Sequence, residues 1–257
     1  MRFLLSTWID NWRAPPPNPA RVKWLAEWDY AHRGLHSPGT PENSASAFAE
    51  AIGRGMGIEC DVQRTSDGGA VVFHDWELDR LTDEQGPVER LTVAELGAIP
   101  LRQNGDRIPS LERLLEQVGG RVPLLIEIKS KRDKRARPLC LAVRRALEGY
   151  RGHHAVMSFD PRVVRWFAVH SPRTVRGLVV TEEGSKGFRG TVRRRLAMWN
   201  CKPDFLAYDV RDLPSTFAAA QRKRGLPLLT WTVRDMASAQ VAFDHTDAPI
   251  LEGEVAQ

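Results

Sequence analysis

Two patterns of apolar residues alternate along most of the chain. Short apolar runs, such as those at residues 124–128 and 205–210, are typical of buried strands. Between such runs, apolar residues recur every three or four positions, as Leu139, Val143 and Leu147 do, which is typical of helices. The apolar runs predict eight strands, near residues 30, 59, 72, 126, 157, 178, 207 and 230. Regular alternation of strands with helices predicts a parallel sheet.

Eight strand–helix units within the 257 residues favour an α/β fold of the closed (β/α)8 TIM barrel class. An open, doubly wound sheet is the alternative. It is less favoured because no glycine-rich GxGxxG turn follows the first predicted strand. We expect the barrel to span residues 28–257, with a small insertion after the third strand at about residues 76–109. A capping box at Thr92-x-x-Glu95 predicts a short helix inside that insertion.

Residues 1–27 are expected to form an N-terminal extension, because four prolines at positions 15, 16, 17 and 19 predict a stiff connector. Four tryptophans crowd this end of the sequence, at positions 8, 12, 24 and 28. They are expected to cover one end of the fold; a partner or membrane contact is the alternative. Further along, Val192, Leu196 and Trp199 mark a helix.

The stretch from Gly57 to Asp75 holds the first sign of chemistry. It reads as two short strands joined by the turn residues Asp67-Gly68-Gly69. Because side chains alternate along a strand, Glu59 and Asp61 point to the same face. Two ionised carboxylates on one face repel each other unless a cation lies between them, and Mg²⁺ and Ca²⁺ prefer carboxylate ligands. An exposed strand with two solvated acids is the alternative.

Ionisable residues also stand at the ends of other predicted strands. These residues are His32, Arg33, His74, Glu127 and Lys129. In a barrel, the active site lies at the carboxyl ends of the strands. Glu127 supplies a third carboxylate for a divalent cation, Arg33 and Lys129 supply positive charge for a phosphate, and the histidines can transfer protons near neutral pH. Together these groups predict metal-assisted cleavage of a phosphodiester.

Composition limits the remaining classes of function. The net charge of +5 permits attraction to anions. The three cysteines are widely spaced, which fits a reducing compartment. The apolar start of the sequence becomes polar by Asp10, so the N-terminus is a poor signal peptide and we expect a cytoplasmic protein. A basic binding module is an alternative, on the arginines and lysines at 131, 132, 134, 135, 137 and 193–195. Nucleic-acid binding is not favoured because no signature of a nucleic-acid-binding fold is present.

The order and spacing of several motifs resemble the glycerophosphodiester phosphodiesterase family from Tyr30 onward. The matching motifs are His32-Arg33-Gly34, Pro41-Glu42-Asn43, Glu59-x-Asp61-Val62, Thr65-x-Asp67-Gly68, Val72-x-His74-Asp75, Ile108-Pro109-x-Leu111 and Ile126-Glu127-Ile128-Lys129. The resemblance implies a TIM barrel that hydrolyses glycerophosphodiesters to sn-glycerol 3-phosphate and an alcohol, with Mg²⁺ or Ca²⁺ as cofactor. It also implies a small-molecule substrate and no nucleic-acid partner; it allows a peripheral membrane contact and leaves the oligomeric state open.

The resemblance assigns roles by position. Glu59, Asp61 and Glu127 correspond to the metal ligands, and His32 and His74 to the general acid and base. Arg33 and Lys129 correspond to the phosphate contacts, and Trp231 to a residue lining the substrate pocket. Ser44 is a mild departure from the family pattern. The segment at residues 244–251 also departs from it, which weakens any claim about residues contributed by the last loop. Cleavage of a lipid phosphodiester, of the lysophospholipase D type, is the alternative activity.

Overall fold

The computed structural model describes residues 2–131 and 136–256. Three basic residues considered above, Arg132, Lys134 and Arg135, lie outside the described residues. The chain divides into two compact units. The first unit is Tyr30–His154, and the second comprises Met1–Asp29 and Ala155–Val255. Each unit is described by itself below.

Strands and helices alternate through the described residues, as the apolar pattern predicts. The helices are α1 (Arg2–Arg13), α2 (Pro19–Val22), α3 (Ala45–Gly53), α4 (Val93–Leu96), α5 (Leu111–Val118), α6 (Arg137–Ala146), α7 (Pro161–His170), α8 (Phe188–Cys201), α9 (Thr216–Lys223) and α10 (Met236–His245). The strands are β1 (Tyr30–Ala31), β2 (Gly57–Arg64), β3 (Ala70–Val72), β4 (Leu124–Ile128), β5 (His154–Ser158), β6 (Val175–Val180), β7 (Phe205–Asp209), β8 (Leu228–Val233) and β9 (Ala248–Leu251).

In the first unit, β2 pairs in parallel with β1 and with β4. The register places Asp61 opposite Glu127 and Glu59 opposite Leu125. In the second unit, β5 to β9 form four consecutive parallel pairs. Three parallel strands and five parallel strands, with helices between them, make the element set of a (β/α)8 barrel. The predicted fold class is confirmed.

The predicted assignment of strands to the barrel is wrong for two strands. The strand near residue 72, β3, runs antiparallel to β2, with Val62 opposite Val72, so it is the return arm of a hairpin. The eighth parallel strand is instead β9, which pairs with β8. Sequence reasoning overlooked β9 because it has four residues and contains Pro249, and a proline in a short run argues against a strand.

Short polar side chains cap the helix starts. Asp160 and Asp235 each cap a helix, and the capping box predicted at Thr92 and Glu95 is confirmed. At α3, Asn43 resembles an N-cap in sequence, but Ser44 is the cap and accepts a hydrogen bond from the amide of Ala47. The insertion packs its apolar residues under β3. This cluster consists of Val71, Phe73, Leu78, Leu81, Val88, Leu96, Ile99, Leu101 and Ile108.

Helix α8 is confirmed, but two of the three apolar residues that predict it, Val192 and Leu196, are not on its buried side. The buried positions of α8 are Gly190, Arg194, Met198 and Cys201. Val192 and Leu196 are exposed. The buried side of α8 is therefore formed by Gly190, Arg194, Met198 and Cys201. The apolar stripe that contains Val192 and Leu196 faces solvent.

The N-terminal segment packs within the second unit through one buried acid. Asp10 on α1 is 1% exposed and pairs with the guanidinium of Arg195 on α8. Its carboxylate also accepts hydrogen bonds from Trp199 Nε1 at 2.8 Å and from Gln221 Nε2 at 3.2 Å. The four tryptophans divide: Trp24 is buried and Trp28 half-buried, whereas Trp8 and Trp12 are exposed. Burial within the fold thus accounts for Trp24 and in part for Trp28, but not for Trp8 and Trp12.

Replacing Asp10 by alanine is expected to destabilise the protein by about 2–3 kcal/mol, because three buried or half-buried donors lose their acceptor. Chemical unfolding of the full chain measures this change. Asp244→Ala, at an exposed acid on α10, is the matched control and should cost about 0.5 kcal/mol or less. Equal stability of the two variants would contradict the anchoring role of Asp10.

Candidate active site

Three carboxylates meet on neighbouring strands of the first unit. Glu59 and Asp61 on β2 are each 2% exposed, and Glu127 on β4 is half-buried. One carboxylate oxygen from each lies within 4.8 Å of the others. The alternation along β2 and the parallel register with β4 together produce this cluster. The prediction that Glu59 and Asp61 share a face is confirmed, and the solvated-strand alternative is excluded by their burial.

Burial and mutual repulsion set the charges of these acids. Burial, and then the charges of Asp61 and Glu127, raise the pKa of Glu59 well above its usual value. Burial raises the pKa of Glu127 to about 7, although Lys129 opposes the shift. The pKa of Asp61 moves the other way: burial opposes its ionisation, but Lys129 and Arg33 lower the pKa on balance. A divalent cation would relieve this repulsion, and the all-oxygen donor set fits Mg²⁺ or Ca²⁺.

The loop after β1 is bonded directly to this cluster. The backbone amide of Arg33 donates to Glu59 Oε2 at 3.0 Å, and Arg33 Nε lies 3.2 Å from Asp61 Oδ2. The side chain of Asn43 donates to Asp61 Oδ2 at 3.1 Å and accepts from the Asp61 amide at 3.3 Å. Arg33 and Asn43 both have positive φ, 55° and 54°, in the left-handed region that non-glycine residues seldom adopt. This backbone conformation turns both residues toward the acids.

Lys129 follows β4 and lies between two of the acids. Its Nζ is 3.5 Å from Asp61 Oδ1 and 3.4 Å from Glu127 Oε1. Its backbone amide donates to the carbonyl of Val62 at 3.0 Å, which continues the pairing of β4 with β2 beyond the strand end. The charges of Glu127 and Asp61 raise the pKa of Lys129 despite burial, so the ammonium stays protonated. Two cations, Arg33 and Lys129, therefore border the carboxylate cluster.

The two predicted histidines reach the site by different routes. His32 directly follows β1, and its Nε2 lies 4.0 Å from Glu59 Oε2. His74 follows β3, which returns antiparallel to β2, and the amide of Phe73 donates to the Asp61 carbonyl at 2.9 Å. The hairpin thus delivers His74 to the level of Asp61, where a parallel third strand was expected to do so. Burial lowers the pKa of His74.

Sequence reasoning missed a charged network behind His74. Nδ1 of His74 lies 2.7 Å from Asp75 Oδ1. Arg80 Nε donates to Asp75 Oδ2 at 2.5 Å, and Arg80 Nη2 donates to Glu42 Oε1 at 2.7 Å. Glu42 also accepts from Arg33 Nη1 at 2.7 Å. The network joins the histidine to the arginine of the site through alternating charges and restricts the orientation of both.

The signal for part of this network was present in the sequence. Glu42 and Asp75 stand within motifs quoted above, but neither received a role there. Arg80 lies in the polar segment after His74, where a single arginine does not stand out from its charged neighbours. Its partners are separated from it by 5 and 38 residues, so only the folded chain brings them together.

Trp231 belongs to β8 of the second unit. Its indole Nε1 donates to the Ala207 carbonyl at 3.0 Å, and its ring meets Phe159 edge-on with centroids 5.3 Å apart. These contacts hold the ring in place on the strand. Its assignment to the substrate pocket stays a prediction.

Comparison with known proteins adds to this geometry. A family model described as "Glycerophosphoryl diester phosphodiesterase family" matches residues 32–248, which include every residue of the carboxylate cluster. The chain belongs to the glycerophosphoryl diester phosphodiesterase family. The predicted resemblance and the prediction of an enzyme are confirmed.

Two relatives illustrate the match in sequence. A glycerophosphodiester phosphodiesterase of Caldanaerobacter subterraneus subsp. tengcongensis is 42% identical over 108 residues, covering 39% of this chain and 44% of the relative. The match thus spans less than half of that relative's length. The Bacillus subtilis protein YhdW is 28% identical over 246 residues, covering 87% of this chain and 97% of the relative.

Solved structures share the fold. An Oleispira antarctica phosphodiesterase in complex with the product sn-glycerol 3-phosphate aligns with a TM-score of 0.76 at 22% identity, over 89% of this chain and 94% of that chain. A glycerophosphodiester phosphodiesterase of Thermotoga maritima aligns with a TM-score of 0.70 at 26% identity, over 86% and 92%. Within the described residues, no helix has the length and apolarity needed to cross a membrane.

Replacing Asp75 by asparagine is expected to lower kcat about 10- to 100-fold, because His74 loses the charged partner that orients it. The Asp75 carboxylate raises the pKa of His74, so its loss should lower that pKa further. If neutral His74 is required, the acid limb of the profile of kcat/KM against pH then moves to lower pH. Kinetics of phosphodiester hydrolysis across pH measure both effects. Glu77→Gln, at an exposed acid two residues away, is the control, and an equal loss in both variants would contradict the role of Asp75.

Proposed function

We propose that this protein hydrolyses glycerophosphodiesters to sn-glycerol 3-phosphate and an alcohol, with one divalent cation, Mg²⁺ or Ca²⁺, held by Glu59, Asp61 and Glu127. The observation that carries the proposal is the cluster of three carboxylates within 4.8 Å, bordered by two cations and two histidines. The family and the named relatives support the substrate class. The sn-glycerol 3-phosphate bound to the Oleispira antarctica structure supports the product.

Binding of the substrate depends on its phosphodiester charge. Arg33 offers a guanidinium, which suits two oxygens of one phosphate, and Lys129 offers an ammonium. Both are already fixed by carboxylates, Arg33 by Asp61 and Glu42, and Lys129 by Asp61 and Glu127. Little side-chain entropy then remains to be lost when the phosphate binds. When bound, the cation supplies further neutralisation of the phosphate oxygens as a Lewis acid.

Proton transfer falls to the two histidines. In hydrolysis, the P–O bond to the alcohol breaks and a new P–O bond forms to the nucleophile, which is water or the neighbouring glycerol hydroxyl. One histidine accepts the proton of the nucleophile, and the other donates a proton to the leaving oxygen. Attack by the glycerol hydroxyl gives a cyclic phosphate, which water then opens, so both routes end at the same products.

The surroundings of His74 suit it to accept a proton. Its lowered pKa leaves it neutral near neutral pH. With Nδ1 directed at Asp75, Nε2 is the nitrogen available for proton transfer, and the Asp75 carboxylate stabilises the imidazolium that forms. We therefore assign His74 as the first base and His32, next to Glu59, as the acid for the leaving oxygen.

Cleavage of a lysophospholipid remains the second candidate activity. It would use the same acids and histidines but would need a groove for an acyl chain. The comparisons favour glycerophosphodiesters, since the Caldanaerobacter relative and the Thermotoga structure are named for that substrate class.

The deciding experiment measures release of glycerol 3-phosphate from glycerophosphocholine and glycerophosphoethanolamine, with Mg²⁺, Ca²⁺ or EDTA in parallel. His32→Ala and His74→Ala are each expected to lower kcat at least about 100-fold, since general acid–base catalysis contributes factors of that size. The two variants should melt at nearly the same temperature as the unaltered protein. Activity with either metal, and its loss in EDTA, is the expected result for the unaltered protein.

His153→Ala is the matched control, because His153 is exposed and precedes β5. It should keep full activity. Full activity of His32→Ala or His74→Ala would contradict the assignment of roles. Absence of release with any metal, from folded protein that cleaves lysophosphatidylcholine, would favour the second candidate activity.

A further inference from the structure

Two tryptophans of α1 point away from the body of the second unit. Trp8 and Trp12 are 66% and 65% exposed, and their rings stack with centroids 6.4 Å apart. Asp10 lies between them in sequence but on the opposite side of the helix, where it pairs with Arg195. The helix is thus held by one side while its aromatic side stays in solvent.

Helix α8 carries a second exposed apolar stripe. Phe188, Val192 and Leu196 are spaced four residues apart, and Phe188 is 84% and Leu196 55% exposed. Spacing of four residues places all three on one side of the helix. Arg195, which contacts Asp10 on α1, is the residue just before Leu196, so α1 borders this stripe. We name the exposed residues of these two helices the Trp–Arg face. It comprises Trp8, Trp12, Arg13, Phe188, Arg189, Val192, Arg193 and Leu196.

Within the described residues, the charged side chains exposed on the Trp–Arg face are all positive. Arg189 and Arg193 are exposed beside the apolar stripe, and Arg13 lies over the ring of Trp12 at 4.3 Å. The sequence of α8 contains no acidic residue, and the only acid of α1 is Asp10. Asp10 is buried and paired, so it does not offset the arginines at the surface.

We propose that the Trp–Arg face binds the surface of a bilayer that contains anionic lipids. Tryptophan rings are favoured at the level of lipid headgroups, and arginines on an amphipathic helix are attracted to anionic lipid phosphates. Five of the ten exposed large hydrophobic residues in the described part of the chain lie on this face: Trp8, Trp12, Phe188, Val192 and Leu196. A second copy of this chain is a poorer occupant, because two faces without exposed acids would repel each other.

The arrangement resembles a peripheral contact, in which helices lie flat and insert their aromatic side chains. Two separate helices contribute apolar residues, and their packing through Asp10 fixes one against the other. The face is therefore pre-organised, and binding does not require the cost of ordering a helix. The proposal concerns where the enzyme works and does not depend on the proposed reaction.

The test is sedimentation of the full chain with vesicles of phosphatidylcholine alone or of phosphatidylcholine mixed with phosphatidylglycerol. We expect at least about ten-fold stronger binding to the anionic vesicles, weakening as salt rises. The double variant Trp8→Ala/Trp12→Ala should lose about ten-fold or more in binding. The charge reversal Arg189→Glu/Arg193→Glu should lose a similar factor, but only with the anionic vesicles.

Two matched controls separate this face from general surface effects. Val169→Ala/Phe243→Ala removes two apolar side chains from α7 and α10 that are at least about as exposed as the tryptophans. Arg144→Glu/Arg145→Glu reverses two exposed charges on α6. Both controls should bind anionic vesicles as the unaltered protein does. Circular dichroism should show every variant folded, and hydrolysis of a soluble substrate should be unchanged.

Three outcomes would overturn the proposal. The first is no binding to anionic vesicles by the folded, unaltered protein. The second is unchanged binding by the tryptophan and arginine variants, or an equal loss in the control variants. The third is a dimer, seen by light scattering, that dissociates in Trp8→Ala/Trp12→Ala while no vesicle binding occurs, because a second copy would then be the occupant.

Discussion

Three carboxylates share a space in which they cannot all be charged without a compensating cation. Glu59 and Asp61 are fully buried, and Glu127 faces them from the next strand. Leaving such groups ionised and unpaired in a protein interior costs several kcal/mol each, so the fold has to supply positive charge. The contacts of the first unit that surround these acids follow from this requirement.

Several side chains around the three carboxylates compensate their negative charge. Arg33 and Lys129 each touch Asp61, and Asn43 supplies a neutral amide to the same carboxylate. These partners lower the pKa of Asp61, whereas the pKa of Glu59 remains raised. The compensation by side chains is therefore incomplete, and the divalent cation proposed above would complete it. In the proposed function the same two cationic side chains bind the phosphodiester, so the stability of the site and that function would rest on one arrangement.

Part of this site follows from local rules and was predictable. The alternation of side chains along β2 brings Glu59 and Asp61 to one face whatever the remainder of the chain does. His74 was predicted as a site residue for the wrong topological reason, since its strand is antiparallel to β2. The turn residues Asp67-Gly68-Gly69 already indicated a hairpin, and therefore an antiparallel β3. The prediction nevertheless included β3 among the eight barrel strands. It omitted β9, which is short and contains a proline.

Other features depend on long-range contacts that no local pattern reveals. Arg80 donates a hydrogen bond to Glu42, which lies 38 residues away in the sequence. Asn43 does not cap a helix, because its side chain binds Asp61. The outward apolar stripe of α8 is a similar case. Periodicity finds the helix but does not say which side is buried, because Arg194 and Gly190 take the inner positions. Sequence patterns thus predict elements and their chemistry better than they predict orientation.

The most direct test of the central constraint is the melting temperature of the full chain in EDTA and in saturating Mg²⁺ or Ca²⁺. Binding at about 100 times Kd adds about 2.7 kcal/mol, which for a protein of this size corresponds to a rise of about 5–10 °C. Glu59→Gln and Glu127→Gln should largely abolish that rise, and Glu116→Gln, at an exposed acid on α5, should keep it. Equal melting temperatures of the unaltered protein with and without either metal would contradict the account.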